Sequence, residues 1–330
     1  MKKNLIAVAV SAAFTGVLST SVIAGDVTVY GAVQAELVSI DYQSNLKDDE
    51  VDLVDNARGR VGIKATEDLG NGWKGLAKYE FKADTTDNKA AGDASLSSRE
   101  SLVGLKGKSV QIEAGNLKSA YKYTGGVTYD PFVTTMLEAR TNGGMSAPSD
   151  SRFGHKSFHK ETIGIQGGGG PVQVRLTYGP SEDDSSLTAS VKYSQGGIEA
   201  FVAMVDSGDI KFDVDDDAGT ADDSYSATKF GGAFKTGSHK IMLQHEITDE
   251  GDKDPTYTFL GYNLGMGKNT FVIEFATFDS DGGADDTDML VVGAIHKFSK
   301  TTRLFGGFRS SDADDKSRED AISVGLRKDF

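Results

Sequence analysis

From Gly25 to Phe330 the chain is a succession of segments of about ten residues in which apolar and polar side chains alternate. The connections between them come in two sorts that take turns. One sort is short and mostly glycine-rich: Gly70-Asn71-Gly72, Gly107-Lys108, Gly167 to Gly170, Gln195-Gly196-Gly197, Thr236-Gly237-Ser238, Gly265-Met266-Gly267 and Ser299-Lys300-Thr301. These read as hairpin turns, where Gly and Asn supply positive φ. The other sort is long, polar and largely acidic: 41–55, 85–97, 117–150, 180–185, 206–224, 248–254, 279–287 and 310–320. Seven tight turns and eight long loops imply sixteen strands, with both termini on the tight-turn side. A soluble sandwich has no reason to sort its loops by length. An antiparallel barrel spanning a membrane has one rim of short turns and one of long loops.

The faces of the strands agree. Val27, Val29, Val33, Ala35 and Leu37 point one way in the first strand, while Thr28, Tyr30, Gln34 and Glu36 point the other. Val61 and Ile63 oppose Arg60 and Lys64; Val172, Val174, Leu176 and Tyr178 oppose Gln173, Arg175 and Thr177; Phe271, Ile273 and Phe275 oppose Glu274. The polar face carries charges of both signs, which a dry core accepts only at several kcal/mol each. A water-filled lumen takes them freely. At the end of the chain Ile322, Val324, Leu326 and Phe330 lie on one face, the apolar strand ending of an outer-membrane β-barrel.

Lys2 and Lys3 precede an apolar stretch diluted with Ser and Thr, and Val22-Ile23-Ala24 offers small residues for cleavage before Gly25. Residues 1–24 therefore read as a secretory signal peptide and 25–330 as the barrel domain. Beyond Gly25 no run approaches the eighteen apolar residues that a membrane helix requires, so a closed barrel, with every backbone group paired, is the form left for a membrane. The 38% hydrophobic content, low for a membrane protein, fits strands with only one greasy face. With no cysteine, disulfides, thiolate metal sites and a Cys nucleophile are all excluded. The formal charge is −14, and loss of Lys2 and Lys3 with the leader makes it −16, which argues against a nucleic-acid partner.

Five stretches in order resemble the general trimeric porins of Gram-negative bacteria: Val29-Tyr30-Gly31, Gly59-Arg60-Val61-Gly62-Ile63-Lys64, Tyr79-Glu80-Phe81-Lys82, the run from Ser98 to Gly107, and the Phe330 terminus. The resemblance implies a sixteen-stranded antiparallel transmembrane β-barrel in a homotrimer, each protomer enclosing its own water-filled channel for passive diffusion of ions and small hydrophilic solutes. It implies that the third long loop, 117–150, folds inward. It further implies a constriction of Arg60, Arg99 and Arg152 facing Glu138 and Asp130 of that loop, with Arg58, Lys64, Glu36 and Glu113 on the lumen wall. Phe330 would be the assembly signal by which the barrel-assembly machinery takes the C-terminal strand. Phe132, Met136 and Leu137 give the loop apolar side chains to pack against the wall. Two features depart from the pattern: Ala32 stands where many members carry lysine, and the loop's acidic residues do not align cleanly.

Three eyelet arginines oppose cation passage, whereas the acidic outer loops draw cations in, so the sequence predicts weak selectivity of unassigned sign. Tyr257, Phe259, Phe271, Phe275, Phe298 and Phe330 are expected in aromatic girdles at the headgroups. An enzyme is not expected: His155, His159, His239, His245 and His296 form no zinc signature, and the i, i+4 pair His155 and His159 would stand about 13 Å apart on a strand. The acidic run Asp213 to Gly219 has Ala218 at the sixth place and no Glu at the twelfth, unlike a calcium loop. No cofactor is expected. Lipopolysaccharide and other outer-membrane lipids are expected neighbours, with divalent cations bridging acidic loops to phosphates. Alternatives from the same residues are a substrate-specific channel and a barrel whose loops serve mainly as adhesins or receptors.

Overall fold

The computed structural model describes residues 25–43, 48–56, 58–86, 96–139, 158–180, 185–206, 226–249, 254–282, 286–313 and 318–330. Within them the chain forms β1 (Asp26–Tyr42), β2 (Glu50–Val54), β3 (Arg60–Gly70), β4 (Trp73–Ala83), β5 (Leu96–Lys106), β6 (Val110–Lys118), β7 (Phe158–Gly169), β8 (Val172–Gly179) and β9 (Ser186–Gln195). It continues through β10 (Ile198–Asp206), β11 (Ser226–Thr236), β12 (His239–Asp249), β13 (Thr256–Met266), β14 (Asn269–Asp279), β15 (Thr287–Lys297), β16 (Thr302–Ala313) and β17 (Glu319–Asp329). All belong to one antiparallel sheet, closed where β1 pairs β17 from Ala32↔Asp329 to Tyr42↔Glu319. Gly31 and Phe330 add two backbone hydrogen bonds at the foot of this seam, 2.9 and 3.0 Å.

Seventeen segments make sixteen staves, because β2 and β3 share one edge of β1. From Val54 to Arg60 the second stave takes six steps while its partner takes four, Glu36 to Ala32, so two extra residues bulge out. Buried Asp55 fills this break. Its carbonyl accepts from Gln34 Nε2 at 3.1 Å and from Arg58 N at 3.0 Å, and its carboxylate from Thr85 N at 2.9 Å. The sequence placed 41–55 in a long loop, so Glu50–Val54 is a correction: these residues continue the second stave as β2, paired with β1 from Glu36↔Val54 to Ile40↔Glu50.

The strand phases are as expected. Val27, Val29, Val33 and Leu37 of β1 and Ile322, Val324 and Leu326 of β17 are exposed on the outer wall, which suits hydrocarbon, while Gln34, Glu36 and Ser323 beside them are buried inside. Among the described residues no helix is long and apolar enough to cross a membrane. The tight turns and the longer connections fall at opposite rims.

The lumen is not wet throughout. Tyr121, Tyr129, Phe132 and Leu137, on the connection after β6, are each at most 1% exposed and pack with inward-facing Phe201, Met242, Phe259, Val272, Val291, Ile295 and Phe305. Two glycines make room: a Cβ on Gly125, at φ +70°, would stand 2.1 Å from the Phe201 ring, and one on Gly293 would stand 2.6 Å from Phe132 Cζ. Tyr257 and Phe259, expected in the headgroup girdle, are therefore corrected to inward positions, at 3% and 0% exposure. Tyr257 donates its hydroxyl hydrogen to the Ala139 carbonyl at 2.7 Å. Phe271, Phe275, Phe298 and Phe330 do face outward.

Candidate functional site

The inward connection crosses the lumen and is fastened along its way. Ala120 N donates to Thr188 Oγ1 (2.9 Å) on β9, Gly126 N to Gln244 Oε1 (2.7 Å) on β12, and Gln34 Nε2 on β1 to the Thr134 carbonyl (2.7 Å). Its tip is clamped by Glu36, a fully buried carboxylate that accepts from Met136 N at 2.8 Å, Ser323 Oγ and Asn56 Nδ2. Met136 packs on Val38, Ile40 and Ala321 behind the clamp. The loop thus covers the inner wall from β9 round to β1 and leaves the face of β3 to β8 as the side of the passage.

That face is basic. Arg60 and Arg99 both point at Glu80, with Arg99 Nε 2.9 Å and Arg60 Nη1 3.9 Å from the same oxygen, Oε1. Lys78 lies 3.7 Å from the other Glu80 oxygen, which also accepts from Tyr30 at 2.8 Å. Lys78 and Lys118 share Glu100 at 2.5 and 3.3 Å, and Lys64 and Lys78 lie over the Tyr30 ring at 5.8 and 5.5 Å. The two carboxylates fix the cations in place, and with Glu113, which lines the same cavity as Lys64, Lys78 and Lys118, five cations on this patch face three carboxylates. Adjacent residues Arg99 and Glu100 both reach the patch because β5 bulges there: Glu80 pairs with Glu100 and Phe81 with Ser98, leaving Arg99 as the extra residue. On the loop side Tyr123 approaches, 5.1 Å from Lys118 Nζ and 6.0 Å from Phe158, whose ring stacks under Arg99 at 4.8 Å.

The other residues expected here lie as follows. Asp130 accepts from Phe132 N at 2.7 Å and Ala139 N at 3.0 Å, and Glu138 accepts from Thr134 N, so both carboxylates shape the loop's own backbone. Arg58 is 3.7 Å from Asp329, at the seam, and Glu113 accepts from Gln111 at 2.6 Å on the wall of β6. Lys64 belongs to the basic patch, whereas Glu36 is occupied by the loop tip. Arg152, His155 and Asp213 to Gly219 lie outside the described residues. The expectation overlooked Glu80, Glu100, Lys78 and Lys118. The alternation of Glu80 with Tyr79 and Phe81 marked it as inward, but the β5 bulge that gathers Glu100 left no mark in the sequence.

Comparisons with known proteins point the same way. The sequence profile of the Gram-negative porin family matches residues 7–316. Major outer membrane protein P.IB of Neisseria meningitidis serogroup B is 26% identical over 355 residues, covering 100% of both chains. An outer membrane porin protein of Bordetella pertussis is 22% identical over 397 residues with the same coverage. Among solved structures, the anion-selective porin from Comamonas acidovorans has a TM-score of 0.73 at 18% identity, over 93% of this chain and 100% of that one. The trimer form of OmpT from Vibrio cholerae has a TM-score of 0.68 at 16% identity, over the same shares. With a closed sixteen-stave barrel, an apolar outer wall and a charged lumen narrowed by an inward loop, this chain belongs to the Gram-negative porin family and is an outer-membrane channel for small hydrophilic solutes.

Proposed function

We propose that the passage favours anions, and that its narrowest part lies between the patch of Arg60, Lys64, Lys78, Arg99 and Lys118 and the loop face that carries Tyr123. The excess of five cations over the three carboxylates Glu80, Glu100 and Glu113 supports this reading. A net charge about 6 Å from a permeating ion in water is worth about 0.7 kcal/mol, or roughly threefold in permeability per net charge. The acidic outer loops are screened beyond about 8 Å at physiological salt. Wall charges therefore outweigh them. In this reading Asp130 and Glu138 keep the loop in shape, and Arg152, directly after the loop, is a further cation of the same passage. Ions and small polar solutes pass without any chemical step, so the protein acts as a channel and not as an enzyme.

The reading extends to maturation and assembly. Residues 1–24 are removed on export, the barrel-assembly machinery takes the C-terminal strand ending in Phe330, and three copies associate, as in the trimer form of OmpT. Lipopolysaccharide surrounds the outer rim, with divalent cations bridging its phosphates to the acidic loops. The test is the reversal potential of purified protein in a planar bilayer under a potassium chloride gradient. A potential of the sign set by chloride, with current steps closing in thirds, is expected. A potassium-governed potential overturns the anion preference, and steps without a threefold pattern overturn the trimer.

A further inference from the structure

Beyond the constriction toward the short-turn rim lies a second cavity, of about 680 Å³, roofed by Tyr123, Thr124 and Thr128 of the loop and walled by β5 to β9. Its described lining contains Lys106, Lys108, Arg175 and Lys192 and not one carboxylate. The strand register explains how these gather. Lys106 stands opposite Gln111, Gln111 opposite Gln166, Gln166 opposite Arg175 and Arg175 opposite Ser190, so one lateral row crosses five staves with every member facing inward. At about 4.8 Å per stave, Lys106 and Arg175 are rooted about 14 Å apart, within the combined reach of two long side chains. Lys192 lies one inward step nearer the rim, opposite Gln173.

The donors are partly organised already. Gln166 Oε1 accepts from Arg175 Nε and Nη2 at 3.1 and 2.9 Å, which holds the guanidinium in position with three of its five N–H groups still to give and leaves the Gln166 amide only its N–H₂ to offer. Ser190 accepts from Thr124 at 2.8 Å and keeps its own O–H to donate. Lys192 shares its charge with Glu199 at 3.0 Å, and Gln111 is turned to Glu113 at 2.6 Å, one row away. Among the described residues neither Lys106, Lys108 nor Arg175 has a carboxylate at ion-pair distance. This contrasts with the constriction, where each arginine meets Glu80.

We propose that this cavity is a second, anion-binding subsite, built for a small oxyanion carrying two negative charges, such as a sulfate, a phosphate or a short dicarboxylate. It deepens the anion-favouring reading above. The constriction selects by sign, whereas the row of Lys106, Gln166, Arg175 and Ser190 retains a dianion, through two cations and neutral donors, longer than chloride. Binding is weak enough to release the ion into the wide mouth, yet strong enough to saturate. Transport of dianions then shows a maximum rate.

Inorganic sulfate, a dianion at every working pH, is the probe. Chloride current through single trimers in a bilayer should fall along a saturating curve as sulfate is added. In the double variant Lys106→Gln/Arg175→Gln the half-saturating concentration should rise at least about tenfold. Heat-resistant electrophoretic mobility and strand circular dichroism identify folded variants, and Lys108→Gln, on the turn, supplies a milder change expected to shift the curve in the same direction. A linear decline without saturation overturns the proposal. So does a saturating curve unchanged in the double variant and lost in Arg60→Gln/Arg99→Gln, which assigns the binding to the constriction and leaves the anion preference standing. Variant-sensitive saturation in a channel whose reversal potential follows potassium supports the subsite and removes the selectivity reading instead.

Discussion

Replacing Glu36 by alanine should loosen the loop tip without opening the barrel. The carboxylate accepts three hydrogen bonds, of which Met136 N–H is the one that ties the loop to the wall, while Ser323 and Asn56 belong to the wall side. A hydrogen bond to a buried charged acceptor is worth about 1.5–3 kcal/mol, so the tip should detach about ten to a hundred times more often. The remaining tether, Gln34 Nε2 to the Thr134 carbonyl, and the packing of Met136 on Val38 and Ile40 keep the closed form dominant. Arg309 retains its contact with Glu319, so no cation is stranded. Because the chain has no cysteine, a single Leu137→Cys, at a position fully buried under the tip, reports the opening through its rate of reaction with a small polar thiol reagent. With opening fast relative to labelling, the rate follows the open population. The rate in Glu36→Ala/Leu137→Cys should exceed that in Leu137→Cys alone by about tenfold or more. A change under about threefold, in protein that keeps its heat-resistant mobility, would refute the clamp.

Glu80→Gln removes the carboxylate that Arg60, Arg99 and Lys78 share; the reversal potential should move further toward chloride, by roughly threefold in permeability ratio, and an unmoved potential would separate the patch from the conduction path. Burial first, and then the Glu199 carboxylate, push the Tyr129 hydroxyl above the ordinary tyrosine range. Its neutral form is the folded one, so its share of loop docking is complete below about pH 10, where a free phenol ionises, and declines above it. Thiol labelling at Leu137→Cys should accordingly be flat with pH, after correction for reagent chemistry, until that point. Deletion of Phe330 should lower the amount of assembled barrel in cells severalfold, read by heat-modifiable mobility, while chain refolded in detergent still closes through the ten β1–β17 pairs from Val33↔Lys328 to Tyr42↔Glu319.

The barrel was legible because lipid on one side and water on the other impose a strict period of two, and because rim turns and outer loops obey different length rules. What the pattern concealed lies where that division fails. Tyr257 and Phe259 are apolar residues on the inner face, made stable there by Tyr121, Phe132 and Leu137 of a loop folded into the lumen, and no local periodicity signals such a visitor. The apolar residues of the loop itself did predict that it would pack. The basic patch was half readable: Arg60 has the phase of its strand, but Arg99 and Glu100 share a face only through a bulge, and the carboxylates of Asp130 and Glu138 are turned to backbone N–H groups that only the folded loop presents. β2 was missed for a different reason: Glu50 and Asp52 belong to an acidic run that reads as loop, although Val51 and Leu53 alternate with them on the outer face.

The seam between β1 and β17 bears on the order of events in the life of the chain. The stave that leaves the translocation apparatus first has to wait for the one that leaves last, and Gly31 meets its partner only at Phe330. Until then both edges of the growing sheet hold unpaired amides, so the intermediate needs a host for its edges rather than a head start on folding. The wait also couples quality control to completeness. The Glu36 carboxylate that holds the loop tip also accepts from Ser323, almost three hundred residues downstream, so a chain that stops early cannot shut its wall and leaves that carboxylate one hydrogen bond short.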